Sequence, residues 1–190
     1  IGGWAFAILL GIPTGVLAAV KRGTFWDYIA RGVAIIGQGA PPFVIGLLLI
    51  VIFAVWLQDT PFELPAAGRP PQFNIKTYIL PCIALGWPAA AGLMRLTRSA
   101  MLEVLDSEFV KLARAKGVGW NKVIYKHALK NALITPLTSA LLLFSGWLNG
   151  ALVIEIIFGW PGIGYDALFT AVNDNDFPLL QGTVFFFVLI

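Results

Sequence analysis

The chain of 190 residues is 58% hydrophobic and 12% charged, with a mean hydropathy of +0.83, whereas soluble domains carry about 25% charged residues. This composition excludes an ordinary soluble domain and predicts a membrane protein. The net charge of +3 does not imply nucleic acid as a partner, because its meaning depends on where the charges lie. A single cysteine, Cys82, excludes an intrachain disulfide and a cysteine metal cluster.

Five apolar runs are close to the length of about 20 residues that a helix needs to cross a bilayer. In chain order they cover roughly residues 2–20, 32–57, 77–94, 132–154, and from about 177 onward. We therefore expect an all-α membrane protein, a polytopic bundle of transmembrane helices with five crossings in one domain over residues 1–190. Because both ends lie inside apolar runs, we also expect the chain to be a fragment of a longer protein.

Orientation follows from the positions of Lys and Arg in the links between the runs. The links at 21–31 and 95–131 hold eleven of these residues: Lys21, Arg22, Arg31, Arg95, Arg98, Lys111, Arg114, Lys116, Lys122, Lys126 and Lys130. The alternate links, 58–76 and 156–176, hold only Arg69 and Lys76. This asymmetry predicts that the first two links are cytoplasmic and the other two external.

The segment at about 101–131, named here the basic loop, is long for a simple connection and has a helical pattern. Asp106 or Ser107 can cap a first short helix, with Glu108 in its opening turn. Phe109, Leu112, Ala113 and Lys116 recur at helical spacing along it. We expect Gly117 to end this helix, and Gly119 or Asn121 to begin a second one.

Two interpretations of the basic loop fit this pattern. A basic amphipathic hairpin can lie on anionic membrane lipid, and the same spacing of apolar residues can serve docking to a soluble partner. Ala113 and Gly117 remove side-chain bulk from one face, so another backbone could approach closely there. The small residues favour docking, although they are also compatible with lipid.

Polar and helix-breaking residues within the apolar runs are candidates for a transport pathway or gate. Pro41 and Pro42 should kink the second helix and free backbone groups that must be satisfied inside protein or water. Gln38 and Asn149 are neutral polar residues in bilayer segments, and Glu155 lies at the outer end of the fourth run, where it could orient a segment or line a gate.

Enzyme chemistry finds little support in the sequence. No nucleotide-binding P-loop is present, and no nucleophile has a base beside it in sequence, so this chain should not itself be an ATPase. His127 is the only histidine and has no suitable companions for a metal site. We expect no metal and no cofactor. An intramembrane enzyme and a passive channel remain two possible function classes for such a chain.

Several motifs resemble one known family. The stretch "EFVKLARAKGVGWNKVIYKHALKNAL", residues 108–133, resembles the cytoplasmic EAA-type loop of ABC importer permeases, in particular the dipeptide/oligopeptide/nickel subfamily with its A-R-A-K-G and H-A-L-x-N-A-L runs. "RLTRSAMLEVL" at 95–105, "VIEIIFGWPGIGYDAL" at 153–168 and "DFPLLQG" at 176–182 resemble further segments of that subfamily in the same order.

This resemblance implies a permease subunit of an inner-membrane importer, bacterial or archaeal, for a peptide-like or other small solute. It implies that the basic loop contributes a coupling helix to a cytoplasmic ATP-binding subunit, with Glu108, Ala113 and Gly117 matching the E, A and G of the motif. It also implies a second permease subunit and an external solute-binding protein. Two departures are Thr135, which stands before Pro136, and Gly119, where many relatives have serine.

Overall fold

The computed structural model describes residues 1–65 and 74–189, apart from the side chains of 145–150 and 187. All regular secondary structure in these ranges is helical, as the sequence predicts. The α-helices are α1 (Gly2–Val20), α2 (Phe25–Gly39), α3 (Pro42–Ile50), α4 (Ile75–Leu105), α5 (Glu108–Ala115), α6 (Trp120–Lys122), α7 (Leu129–Ala132), α8 (Ile134–Ile157), α9 (Thr170–Asn173) and α10 (Phe177–Leu189). Three π-helical segments, Val51–Trp56, Val123–Ala128 and Ile163–Phe169, extend or connect them.

One helix is longer than its apolar run, and one predicted kink is wrong. The helix that contains the apolar run at 77–94 continues as α4 to Leu105, so Arg95 and Arg98 lie on a helix. The second run is two helices and not one kinked helix, because α2 ends at Gly39 and α3 begins at Pro42. Pro41 has an extended conformation, with ψ of 146°, as expected for a residue whose α conformation is disfavoured by a following proline.

Two helices among the described residues are long and apolar enough to cross a membrane, α1 and α4. α2 and the helix from Pro42 to Trp56 form a third candidate if the break between them interrupts one span. Ile134–Phe144 and Phe177–Phe186 are shorter apolar helical stretches. The predicted total of five crossings therefore stays a prediction.

The chain divides into two compact units. The first contains residues 1–3, 40–86 and 143–190, and the second contains residues 4–39 and 87–142. The core of the first unit is a cluster in which Leu80 and Ala84 of α4 pack with Ile154 and with Phe158, just beyond the end of α8. This unit carries the turn that follows α8.

The second unit has two small clusters that join its helices. Ala18, Ala34, Ala91 and Met94 pack α1, α2 and α4 together. In the other cluster, Val16 and Ala19 of α1 and Met101 of α4, where the basic loop begins, pack against Ile124 and Ala128 of the loop and against Ala132 just after it. The loop therefore packs against the ends of two long helices.

Candidate functional site

The first helix of the basic loop begins where the sequence predicts. Glu108 opens α5 and its side chain, 89% exposed, accepts a hydrogen bond of 2.7 Å from Lys111 Nζ. This neighbouring carboxylate raises the pKa of Lys111. Ser107 occupies the cap position, but its hydroxyl donates to the Val104 carbonyl and caps no helix N–H group. The predicted side-chain cap is therefore wrong: the Ser107 side chain contacts the last turn of α4 and accepts no hydrogen bond from α5.

The apolar residues of α5 divide between an inner and an outer side. Val110, which the spacing argument did not single out, is completely buried. Phe109 and Leu112 are 44% and 56% exposed, although a residue of either type is more often buried. Ala113 is half-buried, and Lys116 is exposed. The helix therefore uses Val110 to pack within the chain and presents Phe109 and Leu112 outward.

Gly117 ends α5, as predicted, and the reason is local. Its φ is +79°, in the left-handed region that glycine occupies without steric penalty. The Val118 N–H donates to the Ala113 carbonyl at 3.2 Å, and the Gly117 N–H donates to the Arg114 carbonyl at 2.9 Å. These two bonds form a Schellman motif, which satisfies carbonyls that a helix end leaves unpaired. A Cβ atom on Gly117 would meet no other atom within 4 Å.

The second helical segment of the basic loop begins at Trp120, with extended Gly119 before it. Asn121, the other predicted start, lies one residue inside the helix. The Arg114 guanidinium lies 5.0 Å from the centre of the Trp120 ring, and this cation–π contact joins the two parts of the loop. Val123, Ile124 and Ala128 are buried. Tyr125, like Trp120, stays exposed, so the outer side of the loop combines aromatic and cationic residues.

The candidate pathway residues are distributed over several elements. Gln38 lies in the last turn of α2, and its Nε2 atom would be 3.1 Å from a Cβ placed on Gly92 of α4. The Pro41 carbonyl accepts hydrogen bonds from the N–H groups of Val44 and Ile45 at 3.0 and 3.2 Å. It thereby satisfies donors at the start of α3. Asn149 lies in α8, and its side chain is outside the described part of the chain.

Glu155 has backbone partners. Its Oε2 atom accepts hydrogen bonds from the N–H groups of Gly164 at 2.8 Å and Tyr165 at 3.3 Å. These N–H groups lie at the start of the π-helical segment Ile163–Phe169, where helix donors lack intrahelical partners. The carboxylate therefore holds the turn after α8. This geometry fits an orienting role for Glu155; that role and the alternative, lining a gate, both stay predictions.

Comparison with known proteins identifies one family and relatives whose names agree with it. The family model described as "Binding-protein-dependent transport system inner membrane component" matches residues 11–190. The chain belongs to this family. It is 40% identical to the dipeptide transport system permease protein DppB of Alkalihalophilus pseudofirmus, with 94% of this chain and 60% of that protein covered.

Other relatives of this inner membrane component carry related names. The oligopeptide transport system permease protein OppB of Salmonella typhimurium is 41% identical over 92% of this chain and 55% of its own length. The glutathione transport system permease protein GsiC of Escherichia coli K12 is 36% identical over 97% of this chain and 58% of its own length. The chain thus spans between about half and three fifths of these relatives.

One polar cluster in this inner membrane component was missed by the sequence analysis. Asp27, in the first turn of α2, is only 1% exposed and accepts two hydrogen bonds from the guanidinium of Arg98 on α4. A signal was present, because Asp27 is an acidic residue in the first turn of a largely apolar helix, with Arg31 four positions later. Its main partner is 71 residues away in sequence, so no local pattern could identify it.

Proposed function

We propose that this chain forms part of the membrane permease subunit of an ATP-driven importer, and that its basic loop docks into a cytoplasmic ATPase subunit. ATP hydrolysis takes place in that separate subunit, and this chain provides the passage. The proposal follows from membership of a binding-protein-dependent transport family and from the permease names of the relatives.

The observation that carries the docking proposal is the two-sided construction of the basic loop. On its inner side, Ile124 and Ala128 pack with Met101 of α4. On its outer side, Phe109 and Leu112 are exposed, and the space beside Gly117 is open. A partner that moves the outer surface would therefore displace the ends of α1 and α4 directly, because packed side chains transmit displacement.

The same proposal names the other partners and the solute class. A family that depends on a binding protein requires an external solute-binding protein, and a second permease subunit, identical or different, completes the passage. Dipeptide, oligopeptide and glutathione transport are named for three relatives, and all three solutes are peptides. We propose a peptide as the solute and expect the binding protein to provide most of the selectivity. Membrane lipid surrounds the helices.

Gly117→Glu tests the docking proposal. Within this chain the new side chain meets open space, so the protein should insert and accumulate, with only the cost of placing a non-glycine residue at positive φ. In a closed partner cleft it introduces bulk and a buried charge. We expect association with the ATPase, measured by pull-down from detergent extracts, to weaken at least tenfold, and transport to be lost.

Two control variants separate docking from local effects. Gly117→Asn keeps a residue that tolerates the left-handed region without the long acidic side chain, and it should retain association. Lys111→Ala removes only an exposed ion pair with Glu108 and should bind and transport like the parent, because exposed pairs contribute little. If Gly117→Glu keeps normal association and transport, the loop does not dock at this residue, and vesicle binding would then test the lipid alternative.

A further inference from the structure

A buried ion pair joins α2 and α4 in the second unit. Asp27 Oδ1 lies 2.8 Å from Arg98 Nε, and Oδ2 lies 2.9 Å from Arg98 Nη2. The Gly23 N–H also donates to Oδ2 at 3.0 Å. Such a two-pronged pair is both strong and geometrically demanding, since both bonds require one relative placement of the two helices.

A second cation completes the cluster. Arg31 Nε lies 3.4 Å from Asp27 Oδ1, and its side chain is 41% exposed. The Arg31 guanidinium stacks over the Tyr28 ring at 4.7 Å. Arg98, by contrast, is only 19% exposed. Arg31 thus contacts the carboxylate, the ring and solvent. Arg98, which lies on α4, gives Asp27 of α2 its buried contact with that helix.

Apolar side chains form another part of the interface between α2 and α4. Ala34 packs with Ala91 and Met94, and Gly37 faces the Trp87 side chain. The Trp87 side chain occupies the space beside Gly37, where a Cβ atom would overlap it, so shape also opposes sliding at that point. Asp27 and Arg98 add a charged, directional contact to this apolar packing, and fixing a register is the best-attested use of buried polar contacts.

The ion pair is also close to the anchor of the basic loop. Arg98 precedes Met101 by three residues, about one helical turn, and Met101 is completely buried against Ile124 and Ala128 of the loop. At the other end, α2 continues to Gln38 and to the break at Pro41. A continuous set of contacts therefore runs from the loop through α4 and Asp27 to the end of α2.

We propose that Asp27 and Arg98 are positioning residues that hold α2 in register with α4, so that a displacement of the basic loop moves both helices together. This inference rests on the proposed docking function of the loop. Without the ion pair, α4 follows the loop and α2 lags behind, so ATP hydrolysis continues while solute movement is lost.

The test uses the complete assembly of permease, ATPase subunits and binding protein in proteoliposomes. Removing one charge would leave the other buried without a partner, and this can prevent folding. The first variant is therefore Asp27→Leu with Arg98→Met, an apolar pair that can fill the site. The second is Arg98→Lys, which keeps the charge but loses the planar fork. Arg95→Ala, an exposed arginine one turn earlier on α4, is the matched control.

We expect the apolar pair to insert and to bind the ATPase normally, with solute transported per ATP hydrolysed reduced at least tenfold. Arg98→Lys should show a smaller reduction, about threefold, and Arg95→Ala none. If the apolar pair does not accumulate, Arg98→Lys decides the question alone. Normal transport per ATP in the variants that accumulate, or loss of ATPase association in them, overturns the inference, because the pair would then be only a structural contact.

Gly117→Glu is measured in the same preparations to separate the two proposals. If Gly117→Glu keeps its association with the ATPase, the docking function itself is wrong. If Gly117→Glu loses association while the ion-pair variants transport normally per ATP, only the register inference fails.

Discussion

Two glycine-containing segments of this protein use the space beside glycine in opposite ways. After α8, a Cβ atom on Gly162 or Gly164 would meet the Glu155 carboxylate, which fills the position where a side chain would stand. In the basic loop, a Cβ atom on Gly117 would meet nothing within 4 Å. One turn is packed by its own chain, and the other leaves its surface open.

The difference separates two reasons for a glycine. At Gly164 the requirement is space, because the Glu155 oxygen and the backbone of Leu152 are too near for a side chain. At Gly117 the requirement within the chain is only a positive φ of +79°. The space beside Gly117 is therefore available to a partner, as the proposed docking requires, whereas the Glu155 side chain fills the space beside Gly164.

Gly164→Ala should reduce stability more than any other substitution considered in this comparison. The new Cβ would lie 2.8 Å from both Glu155 Oε2 and the Leu152 Cα atom, and the Leu152 backbone cannot move aside cheaply. We expect the free energy of unfolding to fall by about 3 kcal/mol. A lower midpoint of thermal unfolding in detergent, together with faster proteolysis between residues 159 and 169, would show this loss.

Gly182→Ala is the matched control for this substitution. Gly182 lies in α10 and has no atom within 4 Å of its Cβ position, so alanine should leave stability unchanged or raise it by up to about 1 kcal/mol. Equal stabilities of the two alanine variants would contradict the packing explanation.

Glu155→Ala should have the next largest effect. It removes the acceptor for the Gly164 and Tyr165 N–H groups, and unpaired donors that remain partly buried cost about 2 kcal/mol. Glu155→Gln keeps a carbonyl acceptor, so its free energy of unfolding should fall by only about 1 kcal/mol. A loss remains because hydrogen bonds to a charged group are roughly twice as strong as neutral ones.

Unfolding midpoints of the two Glu155 variants, measured side by side, check this order. Transport should fall in parallel with stability for both. A glutamine variant of full stability that fails to transport would instead favour the gate function.

Gly117→Ala should have the smallest effect on stability. Alanine meets no atom but must adopt the left-handed region, at a cost of about 1 kcal/mol. Thermal unfolding in detergent should show a modest shift, with no change in proteolysis between residues 159 and 169. A loss as large as that of Gly164→Ala would mean that the space beside Gly117 is filled, and the contrast between the two segments would disappear.

Much of the local structure could be predicted from the sequence. The helix α1 at 2–20, the beginning of α10 at Phe177 and the end of α5 before Gly117 all follow from apolar runs and from the turn preference of glycine. The family could also be recognised, because its motifs are continuous stretches of sequence. These features depend on neighbours in the chain, so a linear pattern contains the needed information.

Other features depend on which segments meet. The Ser107 hydroxyl donates to the Val104 carbonyl of the preceding helix and accepts no hydrogen bond from an N–H group of α5. Pro41 and Pro42 separate two helices where a kink was expected. Val110, not the residues chosen by spacing, is the buried side chain of α5, because the inward face depends on how α5 packs against the π-helical segment Val123–Ala128.

The sequence by itself determined that the chain is helical and apolar, that its basic residues concentrate in one loop, and that the first helix of this loop ends at Gly117. Only the tertiary structure decided that Asp27 pairs with Arg98 and that Glu155 holds the backbone at Gly164 and Tyr165. The physical reason is burial: a carboxylate removed from water must find donors, and which donors it finds depends on the packing of the helices.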